Sequence, residues 1–595
     1  MIAIIFYDFE VFADNWLVVA LDMATHTKHV IWDDAKELES LYSKNKGEIW
    51  VGYNSRHYDQ FILKGILLGF NPKEINDWII VRGKPGWAFS DAFNKVPLIN
   101  YDVMPNPPIG LKTLEGFMGN SIKESSVPFD INRPLTEAEK AETEKYCTHD
   151  VEQTVEVFIE RKADFDAMMG IVTEFALPIR CIGNTEAQIT AKVLNCVRQG
   201  FNDEFDYFFL PCLRLNKYAF VRDWFDQIRK NPPKTEAEIK AFYKQSLEVD
   251  IAGVPHVFGF GGLHGAPKEP IHKTGLLLHV DVRNYYPSLL IAWNLLTRTS
   301  KEPEQYKFVY DTRQALKIKQ NQAKGKAEKK KYKKAQLPYK KLLNALSGAM
   351  KDKFNPAYDP RNNNCMCING QLMLLDLIEH LEVVPGFELI QSNTDGLIIL
   401  IPDIDEAFNM VDDICYEWEQ RCSTDQCQIL LEMDVIDEIW QKDVNNYLWV
   451  KDGEIGERKG AYVKELSRLD ADLPIVNRAL IEYMTKNVPI RQTMLECSDL
   501  LPFQKLVKLS DKFLWVEHNG QRYDNKSYRV FASRRSSDGQ IKRCDGVRNP
   551  AKFGNTPDHC FIENGDVNGM KCPSRLDKEY YISLAEKRLK DFGVI

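Results

Sequence analysis

Apolar residues along this chain gather into short runs that read as buried strands, and several of these runs carry acids. LLLHVDVRNYYPSLL holds Asp281, ELIQSNTDGLIIL holds Asp395, and IAIIFYDFEVF holds Asp8 and Glu10, which two-residue alternation puts on one face. An acid set among such segments is costly to bury unless it is paired or binds metal. Asp281 and Asp395 therefore suggest a shared cation, and Asp8 and Glu10 repel each other without a counterion. Downstream, WVGYNSRHYDQFILKGIL places Asp59 just before an apolar segment. EAEKAETEKYCTHDVEQTVEVFIERK reads as a helix with Tyr146 and Asp150 four residues apart on one face. Between the Asp281 and Asp395 segments, residues 317–341 are densely basic and rich in helix formers, interrupted only by Gly325 and Pro338. That spacing predicts two helices joined by a turn, a basic hairpin.

Composition narrows the class without naming a function. At 595 residues, 44% hydrophobic and 27% charged, the chain exceeds one ordinary core, and two or three domains are expected. It has no run of about 18 apolar residues, and MIAIIFYDFE is too short and too soon acidic for a signal peptide, so a cytosolic protein is expected. Thirteen cysteines without a dense framework or a CxxC pair suggest reduced thiols. Cys544, His559, Cys560 and Cys572 have the chemistry to gather zinc, but their spacing fits no standard site, and buried cysteines are the alternative. The net charge of −8 argues against nucleic-acid binding only if charge is evenly spread, which the lysine-rich stretch contradicts.

Four acids and a tyrosine in the first 150 residues can hold two divalent cations about 3.5–4 Å apart and activate water against a phosphodiester. Taken singly, each has an ordinary reading: Asp150 as a surface helix acid, the lysine run as a solvated face. The ordered combination carries the inference.

DFE, NSRHYD and YCTHD, in that order, resemble the three exonuclease motifs of proofreading DNA polymerases of the DEDD class with tyrosine. HVDVRNYYPSLL is similar to the first palm motif of family B DNA polymerases, KKLLNALSG resembles their fingers motif, and SNTDG occupies the place of their second palm carboxylate. The matches run in order over about residues 5–465. The resemblance implies a multidomain α/β and α+β protein, a ribonuclease H-like exonuclease domain followed by a right-hand palm, fingers and thumb. Its expected layout is exonuclease 1–180, a connecting segment 181–270, palm 271–303, fingers 304–345, palm again 346–465, and thumb with the C-terminal region 466–595.

The resemblance also implies roles. Asp281 and Asp395, with Val282 beside them, would hold the two Mg²⁺ ions of nucleotidyl transfer, Mn²⁺ being a possible substitute. Hard carboxylate oxygens suit that ion on chemical grounds as well. Asp8, Glu10, Asp59 and Asp150 would hold two more for 3′→5′ proofreading, with Tyr146 catalytic beside them. Arg313, Lys317, Lys340 and Asn344 would meet the incoming triphosphate, and Tyr286 would pack under its sugar and exclude a 2′-hydroxyl. Asn54 and Tyr58 would position the single-stranded primer end, and Lys123 the scissile phosphate. Gly261 and Gly262, in FGFGGLHG, would lie along the template, and Lys459 and Tyr462, in GERKGAYVKE, near the primer terminus. Core aromatic for Tyr286, surface lysine for Lys317 and plain turn for the glycines remain the alternative readings.

The departures from the pattern are specific. Asn393 stands where the family usually has a first acid, Gly396 where it has serine, and Ala345 and Ser347 where it has serine and tyrosine. Only 59 residues separate Asp281 from Lys340, and 55 separate Lys340 from Asp395. Those intervals leave little room for the insertions of protein-primed phage polymerases, so extension of an ordinary primer with weak unaided strand displacement is expected. The segment 524–546 is basic and strand-like, either tracking a duplex or forming a solvated hairpin. The expected function is a replicative, bacteriophage-type DNA polymerase, a monomer in the host cytoplasm. Its partners would be primer-template DNA and dNTPs, with a phage helicase, clamp or single-strand-binding protein as further candidates. A protein-primed polymerase and a nuclease without polymerase activity are the alternatives.

Overall fold

A computed structural model describes residues 3–594. The chain divides into one unit of Met1–Asn184, Leu466–Val476 and Arg491–Ser583, and another of Thr185–Glu465, Asn477–Ile490 and Leu584–Ile595. Among the described residues no helix is long and apolar enough to cross a membrane. With four sheets and interleaved helices, this is a mixed α/β protein.

In the first unit, five strands, β1 (Ile4–Val11), β2 (Trp16–Asp22), β3 (Thr27–Trp32), β4 (Ile49–Gly52) and β5 (Ile99–Asp102), form a sheet in the order β3-β2-β1-β4-β5. β1 sits in the middle, antiparallel to β2 and parallel to β4. A central strand is covered on both faces, which explains its near-continuous apolar character. Tyr7 and Phe9 pack with Trp50, Trp16 and Ile62 in one hydrophobic core of the unit. The helix Glu137–Glu160 lies against β1 and β2. Thr136 starts it with a capping box to Glu139, an arrangement contributing about 1 kcal/mol.

The second unit is built on a nine-stranded sheet. Its strands are β6 (Leu247–Ile251), β7 (Val254–Phe258), β8 (His264–Gly265), β9 (Ile271–Val282), β10 (Glu388–Asn393), β11 (Gly396–Ile401), β12 (Leu431–Asp443), β13 (Asn446–Lys451) and β14 (Glu454–Lys459), in the order β14-β13-β12-β9-β11-β10-β8-β7-β6. The helix Pro360–Leu381 is buried along almost its whole length, so its polar residues need internal partners. Gln371 finds them in the carbonyls of Gly259 (2.6 Å) and Gly261 (2.9 Å).

The basic stretch forms three helices rather than the expected two: Glu304–Gln322, Lys326–Ala335 and Leu337–Lys351. Gly325 does mark a break, in extended conformation ahead of the second helix. Pro338 instead sits in the first turn of the third, where a missing N–H costs nothing, so it starts a helix.

The remaining strands, β15 (Lys505–Lys508), β16 (Trp515–His518), β17 (Gln521–Tyr523), β18 (Ser527–Ala532), β19 (Lys542–Cys544), β20 (Ala551–Lys552) and β21 (Cys560–Ile562), make two small sheets. The sequence reading set everything after 466 apart as one C-terminal region, whereas 491–583 packs in one unit with the N-terminal 184 residues. Arg529 is one reason. Although it belongs to the basic segment read as surface or duplex-tracking, it is fully buried. Its guanidinium donates to Gln504 Oε1 (2.9 Å) and to the carbonyls of Gly116 (3.0 Å), Asn120 (2.8 Å), Glu563 (3.3 Å) and Gly565 (2.6 Å).

The zinc alternative finds no support in side-chain placement. His559 and Cys560 bond to the carbonyls of Asp538 and Gly539, while Cys572 faces those of Cys497 and Asp499. Among the described residues, no three of the four proposed ligands come within 4.8 Å of one another. All thirteen cysteines are free.

Candidate active sites

In the first unit, β1 delivers Asp8 and Glu10 to one face, as alternation requires. Their carboxylate oxygens and Cys147 Sγ lie within 4.8 Å of one another. Asp59 begins the helix Asp59–Leu67 and accepts the Phe9 amide at 3.2 Å, which fixes it behind the same strand. Asp150 and Tyr146 come from the helix over β1 and β2. Burial raises the pKa of Asp8 to about 7, with Asp150 adding to the effect. Asp150 rises to about 6, also through burial, although Lys112 opposes the shift. Glu10 and Asp59 are raised well above the ordinary carboxylate range, by burial first and then by Asp8. Burial and Asp150 likewise hold the Tyr146 phenol protonated. Asp150 falls in a second group, with Glu115 and His149, whose ligand atoms also lie within 4.8 Å of one another. Half-buried Asp8 and buried Glu10, Asp59 and Asp150 offer oxygen donors that suit divalent cations of the Mg²⁺ class.

The lysine of this site is Lys112, on the helix Leu111–Phe117. Its ammonium is ion-paired with Asp150 and with Glu115 (3.0 Å) and lies 4.6 Å from the centre of the Tyr146 ring. Burial works against that charge, yet the two carboxylates outweigh it and raise its pKa. Lys123 has an exposed side chain, and its amide donates to Glu115 Oε2 at 3.3 Å. Asn54 adopts a left-handed backbone (φ 59°) and donates its amide to Asp102, while the Tyr58 hydroxyl donates to Asn76 at 2.7 Å. A cavity of about 150 Å³ adjoins Lys112, with Leu506, Lys508 and Tyr528 among its lining.

In the second unit, Asp281 lies on β9 with Gly396 of β11 opposite on one side and Glu432 of β12 on the other. Asp395 occupies the tight turn between β10 and β11, and its carbonyl accepts the Val282 amide at 2.8 Å. Gly396 is required there: a Cβ would stand 2.9 Å from Asp281 Oδ1 and 2.8 Å from the Val280 carbonyl. Asn393 stands opposite His264 where β10 pairs with β8, and it lines a cavity together with Tyr447. Burial, then Asp395 and Glu432, push Asp281 up to about 8, and burial raises Asp395.

A cleft of about 410 Å³ brings Asp281, Val282 and Asp395 together with Tyr286, Arg313, Lys317, Lys340 and Asn344, and Ser347 also lines it. Tyr286 stacks on Tyr285 at 5.7 Å. Arg313 hydrogen-bonds the Asn284 side chain, and Lys317 is held by both Glu432 oxygens at 2.9 Å. Burial lowers the Lys340 pKa, with Arg313, Lys333 and Lys317 adding repulsion. Lys459 lines an adjoining cavity of about 380 Å³ with Asp281 and Asp395. Tyr462 packs instead under Arg588 (4.5 Å) and beside Phe592. The glycine pair divides: Gly261 borders open space, whereas Gly262 lets the backbone pass Thr394, where a Cβ would meet Oγ1 at 2.6 Å.

No family model and no curated protein matches this chain. Among solved structures, it is similar to the family B DNA polymerase from the hyperthermophilic archaeon Pyrobaculum calidifontis, at 13% identity and a TM-score of 0.40. The match covers 100% of this chain and 78% of that one. Such a likeness assigns no activity by itself.

Charged residues of these sites that escaped the sequence reading include Lys112, Glu115 and Glu432, with Arg283 and Glu457. Lys112 and Glu115 lie in GLKTLEGFMG, where their three-residue spacing on a short helix was the available signal. Glu432 lies in LLEMDVIDEIW, whose alternating acids resemble an ordinary exposed strand edge. Its role depends on the long-range pairing with β9.

Proposed function

We propose that this protein is a template-directed DNA polymerase of the small bacteriophage type, with a separate 3′→5′ proofreading nuclease site. The carrying observation is the 410 Å³ cleft, in which half-buried Asp281 and solvent-facing Asp395 share walls with three cationic side chains from the helices Glu304–Gln322 and Leu337–Lys351. A cleft that brings acids and cations together suits a metal-bound triphosphate.

Asp281, Asp395 and the backbone oxygen of Val282 would hold Mg²⁺ there, and Asp8, Glu10, Asp59 and Asp150 would hold it in the nuclease site. The bound ions would neutralise the entering and leaving oxygens of phosphoryl transfer. Arg313, Lys317 and Lys340 meet the triphosphate charge, which favours departure of pyrophosphate. The Tyr286 ring, backed by Tyr285, gives the sugar pocket a flat floor that discriminates by shape. In the nuclease site, the protonated Tyr146 phenol orients water. Asn54 and Tyr58 would guide the primer end, with Lys123 at its phosphates. Gly261 would lie along the template, with Gly262 keeping its backbone against Thr394, and Lys459 would face the primer. Tyr462 would act by anchoring that segment.

The interval from Asp281 to Lys340 is spent on Tyr285–Ala292 and the basic helices, and the next on two helices and β10. That economy supports ordinary primer extension with little unaided strand displacement, by a monomer acting in the host cytoplasm.

The test is a labelled primer on a DNA template with Mg²⁺, with and without dNTPs. Asp281→Ala should lower extension at least about 10³-fold and spare primer degradation, and Asp8→Ala should do the reverse. No extension from a free 3′ end by the unmodified protein would sink this reading in favour of protein priming or a nuclease alone.

A further inference from the structure

Among the described residues, Asp150 alone of the four acids carries an ion-paired lysine. Lys112 is shared between two carboxylates that differ in kind. Asp150 faces the acid cluster, where Asp8 feels its charge. Glu115 is fully buried and fixed from several sides: its Oε2 accepts the Lys123 amide at 3.3 Å and lies 3.5 Å from His149 Nε2. Lys112 and Glu115 are three residues apart on one helix, so a change of the lysine side chain alone keeps the Glu115 contact while releasing Asp150. A buried carboxylate with no access to water is costly unless it has a cation. Glu115 therefore has a structural use as a second seat for the ammonium.

Resting on the nuclease reading above, we propose that Lys112 is an exchangeable internal cation: it neutralises Asp150 when the site lacks metal, and retreats to Glu115 alone when a divalent cation takes Asp150. Lys112 is then a positioning residue, and Glu115 acts only through it. The exchange replaces the single positive charge of the ammonium at Asp150 with the double charge of the metal, and it makes metal binding compete with an ion pair already in place. Among the described residues neither Asp281 nor Asp395 is ion-paired with a lysine: Lys317 rests on Glu432, and Lys340 and Lys459 line the walls of that site.

The test reads metal affinity rather than nuclease activity. Mn²⁺ is titrated, by loss of the free-ion electron paramagnetic resonance signal, into full-length protein carrying Asp281→Asn and Asp395→Asn, which silence the other site. Lys112→Met/Glu115→Gln removes both charges of the buried pair, avoiding a stranded carboxylate, and should tighten Mn²⁺ binding about tenfold. Glu115→Gln alone removes the second seat, leaves Lys112 on Asp150, and should weaken binding several-fold, an effect the added Lys112→Met reverses. Thermal melts confirm that each variant is folded. Unchanged affinity in the double variant, or in Glu115→Gln, overturns the exchange. If Asp8→Ala removes no Mn²⁺ site from the background protein, the nuclease reading and the exchange both fall. If the affinities move as expected while the unmodified protein degrades no primer, the nuclease reading falls alone.

Discussion

The two acid sites solve one electrostatic problem in opposite ways. In the first unit, a lysine, Lys112, is ion-paired directly with Asp150 and with a second buried acid, Glu115. In the second, Lys317 is held by Glu432, one strand away from Asp281, and burial, then Asp395 and Glu432, push Asp281 up to about 8. The acids of the first unit are thus partly neutralised by Lys112, whereas Asp281 and Asp395 have no ion-paired lysine among the described residues. The difference teaches that a motif acid is defined less by its own strand than by which neighbour takes the nearest cation.

The largest expected effect tests whether the two regions are independent bodies. Arg529→Met would strand four carbonyls and destabilise the first unit by about 4 kcal/mol, since each buried group left unpaired costs about 1–3 kcal/mol. Calorimetry should show one of two transitions falling; a joint shift of both would break the comparison at its root. Next comes Gly396→Ala, which pushes a Cβ into Asp281. Displacing an acid by a fraction of an ångström should lower primer extension about 100-fold while degradation is untouched, as steady-state rates for each activity would reveal.

A smaller, sharper effect separates the two lysines. Lys317→Ala should raise the KM for dNTP about tenfold, the worth of one charge-assisted contact, with the rate of primer degradation unchanged. Equal losses in both activities would mean that Lys317 supports folding rather than substrate.

The smallest effect is in pH. Folded Asp8 keeps its proton to about pH 7, whereas the unfolded chain loses it near 3.8. The folded state therefore binds the extra proton across that window, and metal-free stability should fall as pH rises through it. Asp150, raised to about 6, acts in the same direction. Melting temperatures in chelator from pH 4 to 7 should show the decline, and Asp8→Asn should flatten it. A rise with pH would contradict the burial-driven shift.

Much of the sites was legible because their acids sit on locally encoded elements. Alternation placed Asp8 and Glu10 on one face of β1, and four-residue spacing placed Tyr146 and Asp150 on one helix. The choice of lysine was not legible. Lys123 and Lys112 are both polar positions near the same acids, and only the packing of the helix Leu111–Phe117 beside Glu137–Glu160 selects the second. Likewise nothing in a basic, strand-like segment distinguishes Arg529, buried among carbonyls, from an exposed arginine.

By itself, then, the sequence determined the identities and local geometry of the acids, the order of the motifs and the short intervals between them. These follow from periodicity and from the cost of burying charge, which act over a few residues. Only the tertiary structure decided the counterions: Lys112 and Glu115 for Asp150, Glu432 for Lys317, and carbonyls from four separate positions for Arg529. Ion pairing and carbonyl solvation depend on distance through space, and residues far apart in the chain become neighbours only when strands and helices pack.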